Sequence, residues 1–197
     1  MNRYRRTLLR TACTAAIAAS LLGTAALATA QQTQNPFAEK VLAEMGKATV
    51  IPEGSGSRVL YIFFDANCPY CHELYTALRS KVGKGGLELR WVPVAVLTPS
   101  SVTKGAAILQ APNRLAAFHE NENSYGKVPN GKGGGITPAT KVSPTASAIL
   151  NANNALLEAT KSPGVPTLLY RDKQGDAMMM VGPPNPQQLK EILASVK

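Results

Sequence analysis

From Asn35 onward, apolar and polar positions follow recognisable periods. Phe37, Val41, Leu42 and Met45 fall at helical spacing, so residues 35–45 predict one short amphipathic helix. Gly46 and the run Ile51-Pro52-Glu53-Gly54-Ser55-Gly56 interrupt that pattern and read as a linker. Arg58 to Asp65 encloses an unbroken apolar run, Val59-Leu60-Tyr61-Ile62-Phe63-Phe64, rich in β-branched and aromatic residues. That is the pattern of a strand covered on both faces. A helix follows from about Pro69 to Val82, stopped by Gly83-Lys84-Gly85-Gly86, and Leu87 to Leu97 predicts a second strand. Two short helices, Ser101–Gln110 and Asn113–Asn121, are split by Pro112, and 126–140 is a Gly/Pro/Lys-rich loop. Ser143-Pro144 opens a longer helix to Ala159, as a cap and a first-turn proline do. After the loop Lys161–Pro166, two strands, Thr167–Arg171 and Asp176–Val181, flank the turn Asp172–Gly175, and Asn185–Lys197 predicts a closing helix. Strand–helix–strand, a helical insertion, then strand–strand–helix is an α/β layout around a central sheet. The expected organisation is a short helix and linker at 31–56, then one domain at 57–197 with its helical insertion at about 98–160.

The amino terminus follows a different pattern. Arg3, Arg5, Arg6 and Arg10 precede an uncharged Ala/Leu/Ile-rich run from Thr11 to Leu27, which ends in Ala28-Thr29-Ala30. A basic region, an apolar region and a small-x-small site read as a cleaved secretory signal over residues 1–30. A membrane anchor is the alternative, but the run is short for a span. Tyr4-Arg5-Arg6-Thr7-Leu8-Leu9-Arg10 also partly matches a twin-arginine signal. Cleavage leaves 167 residues, enough for one domain with a real core. The formal charge falls from +9 to +5, with 17 bases facing 12 acids. Without a basic run interleaved with aromatics, that excess reads as solvated surface, and no nucleic acid is expected as a partner.

The signal carries Cys13, so the mature chain keeps two cysteines, both in Cys68-Pro69-Tyr70-Cys71. The motif stands where the predicted strand becomes a helix. Pro69 suits the first helical position, where its missing N–H is not needed. The free N–H groups of that turn and the helix dipole favour a thiolate at Cys68, making it the candidate nucleophile. Cys71, one turn further and nearer the core, suits a resolving thiol. Pro69 and Tyr70 tune the site, and His72 on the same helix either modulates the thiolate or is solvated. Asp65 either feels the thiols, caps the loop or is solvated. In Gly164-Val165-Pro166-Thr167, a cis Val165–Pro166 bond would turn the chain toward Cys68 and expose the Val165 backbone to an extended substrate; a trans proline in a loop is the alternative.

Phe63-Phe64-Asp65-Ala66-Asn67-Cys68-Pro69-Tyr70-Cys71 resembles the active-site loop of thioredoxin-fold enzymes of the bacterial periplasm. Leu89-Arg90-Trp91-Val92-Pro93-Val94-Ala95-Val96-Leu97-Thr98-Pro99, with Lys104-Gly105-Ala106-Ala107-Ile108-Leu109, is similar to the DsbG branch of the DsbC/DsbG thiol:disulfide interchange proteins. The resemblance spans roughly Phe37 to Lys197 and is strongest from Val59 to Leu109. It implies a thioredoxin-like α/β fold with a helical insertion between the second strand and the cis-proline strand. Cys68 is then the attacking thiol, Cys71 the resolving thiol, and Val165 and cis Pro166 the substrate-binding pair. It further implies a periplasmic enzyme, without cofactor or metal, that reduces or isomerises disulfides of client proteins or rescues their sulfenic acids. A membrane redox partner, a DsbD-like reductant or a DsbB-like oxidant, is expected. Two departures stand out. Only about 24 residues lie between Gln31 and Gly54, too few for the dimerisation domain of those relatives, so a monomer is expected. Val165 is similar instead to the oxidase DsbA, which keeps a disulfide-donating oxidase as the alternative.

Other chemistries compete for the motif. Cys68-Pro69-Tyr70-Cys71-His72 also fits c-type haem attachment, with Met178, Met179 or Met180 as axial ligand. The preceding strand-like run disfavours that reading. Zinc on Cys68, Cys71, His72 and His119 lacks a characteristic ligand spacing. A binding module stapled by a structural disulfide is the remaining alternative.

Overall fold

The computed structural model describes residues 36–128, 131–161 and 164–197; the expected signal segment, Cys13 included, lies outside them. The hydrophobic pattern produces a five-stranded mixed sheet covered on both faces. In chain order the elements are α1 (Pro36–Glu44), β1 (Ile51–Gly54), β2 (Arg58–Asp65), α2 (Pro69–Leu78), β3 (Leu87–Val94), α3 (Pro99–Gln110), α4 (Arg114–Asn123), α5 (Pro144–Ala159), β4 (Thr167–Arg171), β5 (Ala177–Val181) and α6 (Pro186–Ser195). The strand order is β1-β3-β2-β4-β5. β2 and β3 run parallel, and the other pairings are antiparallel.

β2 is central, so its side chains are covered on both faces. Leu60, Ile62 and Phe64 join Trp91, Leu168, Tyr170, Leu74 and Phe118 in the larger core. Phe63 points the other way, toward Val92, Leu169, Val41 and Leu157. α3 and α5 pack through Ala106, Leu109, Ala146 and Leu150. The approach is close: a Cβ on Gly105 would stand 3.1 Å from Leu150.

Two differences from the expected boundaries have physical causes. Ile51–Gly54, read as a linker, is an edge strand paired with β3 from Ile51↔Trp91 to Gly54↔Glu88. Pro52 is tolerated there because an edge strand has one unpaired side. The charged Glu53 points inward, where partners remote in sequence satisfy it. Its Oε2 accepts from Trp91 Nε1 at 2.8 Å and Arg79 Nη2 at 2.7 Å, and Arg79 Nη1 pairs with Oε1. His119 Nε2 stands 3.0 Å from Oε1. The second difference is that β3 ends at Val94 rather than Leu97. The N–H groups of Val96 and Leu97 leave the sheet to donate to the Asp65 carboxylate.

Replacing Glu53 with Ala leaves the Trp91 N–H without its acceptor and the half-buried Arg79 guanidinium without its ion pair. The expected cost is about 2–3 kcal/mol in urea unfolding, since one partner of a buried charged pair is lost. A loss below about 1 kcal/mol would remove Glu53 as the anchor of the edge strand.

Candidate active site

β2 ends in a turn in which Cys68 N donates to the Asp65 carbonyl at 3.0 Å, and α2 begins immediately. Cys68 is the N-cap residue of α2, followed by Pro69 in the first turn. Its Sγ accepts the Cys71 N–H at 3.1 Å, as a capping oxygen does. Hydrogen bonding from the Cys71 thiol and from the backbone of Cys71 and Tyr70 holds the Cys68 pKa below the ordinary cysteine value, against burial and the Asp65 charge. For Cys71 the balance is reversed: burial, then its contact with Cys68, pushes its pKa well up. Both are free thiols. Both are nearly closed to solvent, Cys68 2% exposed and Cys71 1%, and Cys71 is the deeper of the two, nearer the core as expected. The start of the helix lowers the pKa of one sulfur, and deeper burial raises that of the other.

Across the cleft the Val165–Pro166 peptide bond is cis. Cys68 Sγ donates to the Val165 carbonyl at 3.5 Å, so residues 97 positions apart meet at the candidate nucleophile. Pro69 and Tyr70 lie on the surface, Tyr70 53% exposed. His72 is packed on one side and still 33% exposed. Its ring stacks on Tyr125 at 4.5 Å between centroids, and Nδ1 stands 3.2 Å from Glu122 Oε2. Burial lowers the His72 pKa and raises that of Glu122 to about 8, so the two meet chiefly as neutral groups near pH 7.

Asp65 caps the loop, one of the readings the sequence offers, and it works with a group of side chains absent from the sequence-derived candidates to hold the Cys68 loop. The buried Asp65 carboxylate accepts from Asn67 N (2.9 Å), Ser101 Oγ (2.8 Å), Val96 N (2.8 Å) and Leu97 N (3.1 Å). Asn67 Nδ2 donates to the Thr98, Ser100 and Ser101 hydroxyls, and its carbonyl accepts from Tyr125 Oη at 2.9 Å. The Ala66 carbonyl accepts from Gly134 N and Asn121 Nδ2, both at 3.0 Å. The signal for this layer was faint but present. Ala117, Phe118, Asn121 and Glu122 form one helical stripe, so an amide and an acid share a face with an aromatic core residue.

Among the described residues the competing ligand sets do not assemble. His119 turns Nε2 to Glu53 and Nδ1 to Tyr75 Oη at 2.9 Å, while Met178–Met180 lie in β5, paired with β4.

Glu122 gives the site a pH signature. It faces Cys71, His72, Tyr75 and Arg79 from α2, and Tyr125 just beyond its own helix. Burial raises its folded-state pKa from 4.5 to about 8, so the folded state retains a proton that the unfolded chain has lost between those values. Stability therefore falls as pH rises from 4.5 to about 8. Glu122→Gln carries no such proton. Its stability relative to wild type should increase across that window by up to roughly 4–5 kcal/mol. Urea unfolding of both proteins at pH 4.5, 6, 7 and 8.5 measures this, and a constant difference would refute the assignment.

A family model described as a thioredoxin-like domain matches residues 45–197. The thiol:disulfide interchange protein DsbG of Pseudomonas aeruginosa is 30% identical over 160 residues, covering 80% of this chain and 60% of that protein. DsbG of Escherichia coli is 27% identical over 137 residues, covering 70% of this chain and 53% of that protein. The chain thus spans little more than half the length of these curated relatives. Among solved structures, Proteus mirabilis ScsC in a compact conformation superposes with a TM-score of 0.61 at 17% identity, covering 84% of this chain and 82% of that one. The family match takes in the sheet, the Cys68–Cys71 turn and the cis Val165–Pro166 segment, and the chain belongs to the thioredoxin-like family.

Proposed function

We propose that the protein is an exported, periplasmic thiol:disulfide oxidoreductase of DsbG type that reduces or isomerises disulfides in client proteins through Cys68 and Cys71. The observation that carries this reading is the position of Cys68 Sγ, on the Cys71 N–H at 3.1 Å and opposite the Val165 carbonyl at 3.5 Å. The Cys68 thiolate attacks one sulfur of a client disulfide. The client S–S bond breaks, its other sulfur leaves as a thiolate and takes up a proton, and a mixed disulfide forms. Cys71 loses its proton and attacks Cys68 Sγ, closing the Cys68–Cys71 disulfide and releasing a client reduced by two electrons. A membrane-held reductant of DsbD type restores the dithiol. With a sulfenic acid as substrate the same mixed disulfide forms and water leaves. The Val165 and Pro166 backbone guides an extended client past the sulfur, while Pro69, Tyr70 and His72 tune the pair.

A stabilised Cys68 thiolate favours the reduced form, which is the property of an oxidant. That observation keeps disulfide donation, with a DsbB-like partner, as the second reading.

Cys68→Ser should abolish reduction of insulin, and Cys71→Ser should accumulate a client-linked species that a reductant releases. Full activity of Cys68→Ser would sink the mechanism. Alkylation of the native protein on cell lysis, followed by intact mass, sets the direction. Two adducts mean a standing dithiol and a reductase or isomerase; none, with a mass two hydrogens lighter, means an oxidase.

A further inference from the structure

Two adjoining hollows, of about 720 and 370 Å³, flank the Cys68 loop and share Asn67, Ser100 and Lys132 in their walls. The larger begins at Pro69, next to the nucleophile, and runs past Thr98 and Tyr125. Lys104 closes the smaller one. Lys104 is 6% exposed. Its Nζ donates to Asn67 Oδ1 at 2.8 Å and to the Gly134 carbonyl at 2.6 Å, both neutral acceptors. An ammonium has three N–H donors, so one remains beyond these two bonds. None of the salt bridges among the described residues includes Lys104. Asp65, whose charge does reach Lys104, has its own carboxylate taken up by four donors. Burial works against the charge on Lys104 and the Asp65 charge supports it, so an anion seated in the groove would find a cation that has no contact ion pair of its own.

The same wall supplies further groups suited to an anion. Thr98, Ser100 and Asn67 present hydroxyl and amide groups at the start of α3, whose dipole favours negative charge. Lys132 adds a second cation on the rim, and Leu97, 48% exposed, and Pro69 add apolar surface. Positive charge behind, hydroxyls along one side and apolar rim residues near the sulfur suit a peptide carboxylate beside a cysteine.

We infer that this groove is a specificity subsite that takes the carboxylate of an Asp or Glu side chain close to the reacting cysteine of the client, with Lys104 and Lys132 as its cationic groups. The inference rests on the thiol-exchange reading and names the class of client that reading leaves open.

The test uses short peptides whose single cysteine carries a chromogenic thionitrobenzoate disulfide, identical except for Glu, Gln or Lys two residues from the cysteine. The rate constant for attack by the reduced full-length protein is read from release of the chromophore. Wild type should prefer the Glu peptide over the Gln peptide about three- to ten-fold at low salt, with the preference shrinking as salt is raised. The Glu/Gln ratio should fall toward one in Lys132→Gln and in Lys104→Gln, the latter retaining an amide donor for Asn67 and Gly134. Lys132 is exposed, so its variant keeps the test decisive if Lys104→Gln unfolds. A wild-type ratio within two-fold of one, or a ratio unchanged in Lys132→Gln, overturns the subsite. A parallel arm compares oxidised glutathione with its esterified form; a carboxylate preference there but none among the peptides overturns the client-peptide assignment. Chromophore release from none of the peptides would instead strike at the thiol-exchange reading itself.

Discussion

The Asp65 carboxylate is the constraint on which the rest of the site depends. It ends the central strand, is wholly buried, and is held by four hydrogen bonds from three different places in the chain. A carboxylate removed from water must be satisfied nearly completely, because an unpaired buried charge costs far more than a net hydrogen bond contributes. Satisfying it shapes its neighbours. Asn67 N–H closes the turn that leads to Cys68. Val96 and Leu97 N–H are drawn off the sheet, so β3 stops and the chain turns toward α3. Ser101 is fixed in the first turn of that helix, and the capping box between Thr98 and Ser101 completes it.

The helical segment between β3 and β4 is therefore part of the site. It supplies Thr98, Ser100 and Ser101 to the Asn67 amide, Tyr125 to the Asn67 carbonyl, and Asn121 with Gly134 to the Ala66 carbonyl. Gly134 has to be glycine for this, since a Cβ there would lie 2.0 Å from Asn121 Oδ1. Of the two residues before the nucleophile, Ala66 is thus bound through its backbone and Asn67 through both backbone and side chain. That anchoring is what lets the first turn of α2 aim its N–H groups at Cys68 Sγ. The contrast between the thiols follows: one sulfur sits at a helix terminus that lowers its pKa, and the other lies deeper in the core, where burial raises it.

A second polar layer lies behind the first. Asn121 divides its amide between Ala66 O and Glu122 Oε1, leaving its own Oδ1 without a partner among the described residues. Glu122 then meets His72, which is stacked on Tyr125. Burial favours the neutral forms of these groups, so the buried acid and the part-buried imidazole and phenol form a nearly uncharged network next to two sulfurs whose own charge is the chemistry.

What the sequence determined alone was what short-range physics controls. β2 at Arg58–Asp65 and β4 at Thr167–Arg171 lie where the apolar runs placed them, and Ser143 caps α5 with Pro144 in its first turn. Cys68 at the head of a helix followed by proline was legible for the same reason: cap, proline and thiol are adjacent in the chain. Only the tertiary structure decided the partners. Ile51–Gly54 is a strand because Arg79, Trp91 and His119, 26 to 66 residues away, accept Glu53 into the interior. Asn67, Tyr125 and Glu122 look like ordinary surface residues in the sequence, and Asp65 offers capping only as one of several readings. Their roles depend on hydrogen bonds across dozens of residues, and the polarity that suggests solvent in a linear pattern is the property that fits them for a buried network. Local periodicity reports which residues prefer to leave water, and only the assembled fold reports which polar residues can afford to follow them.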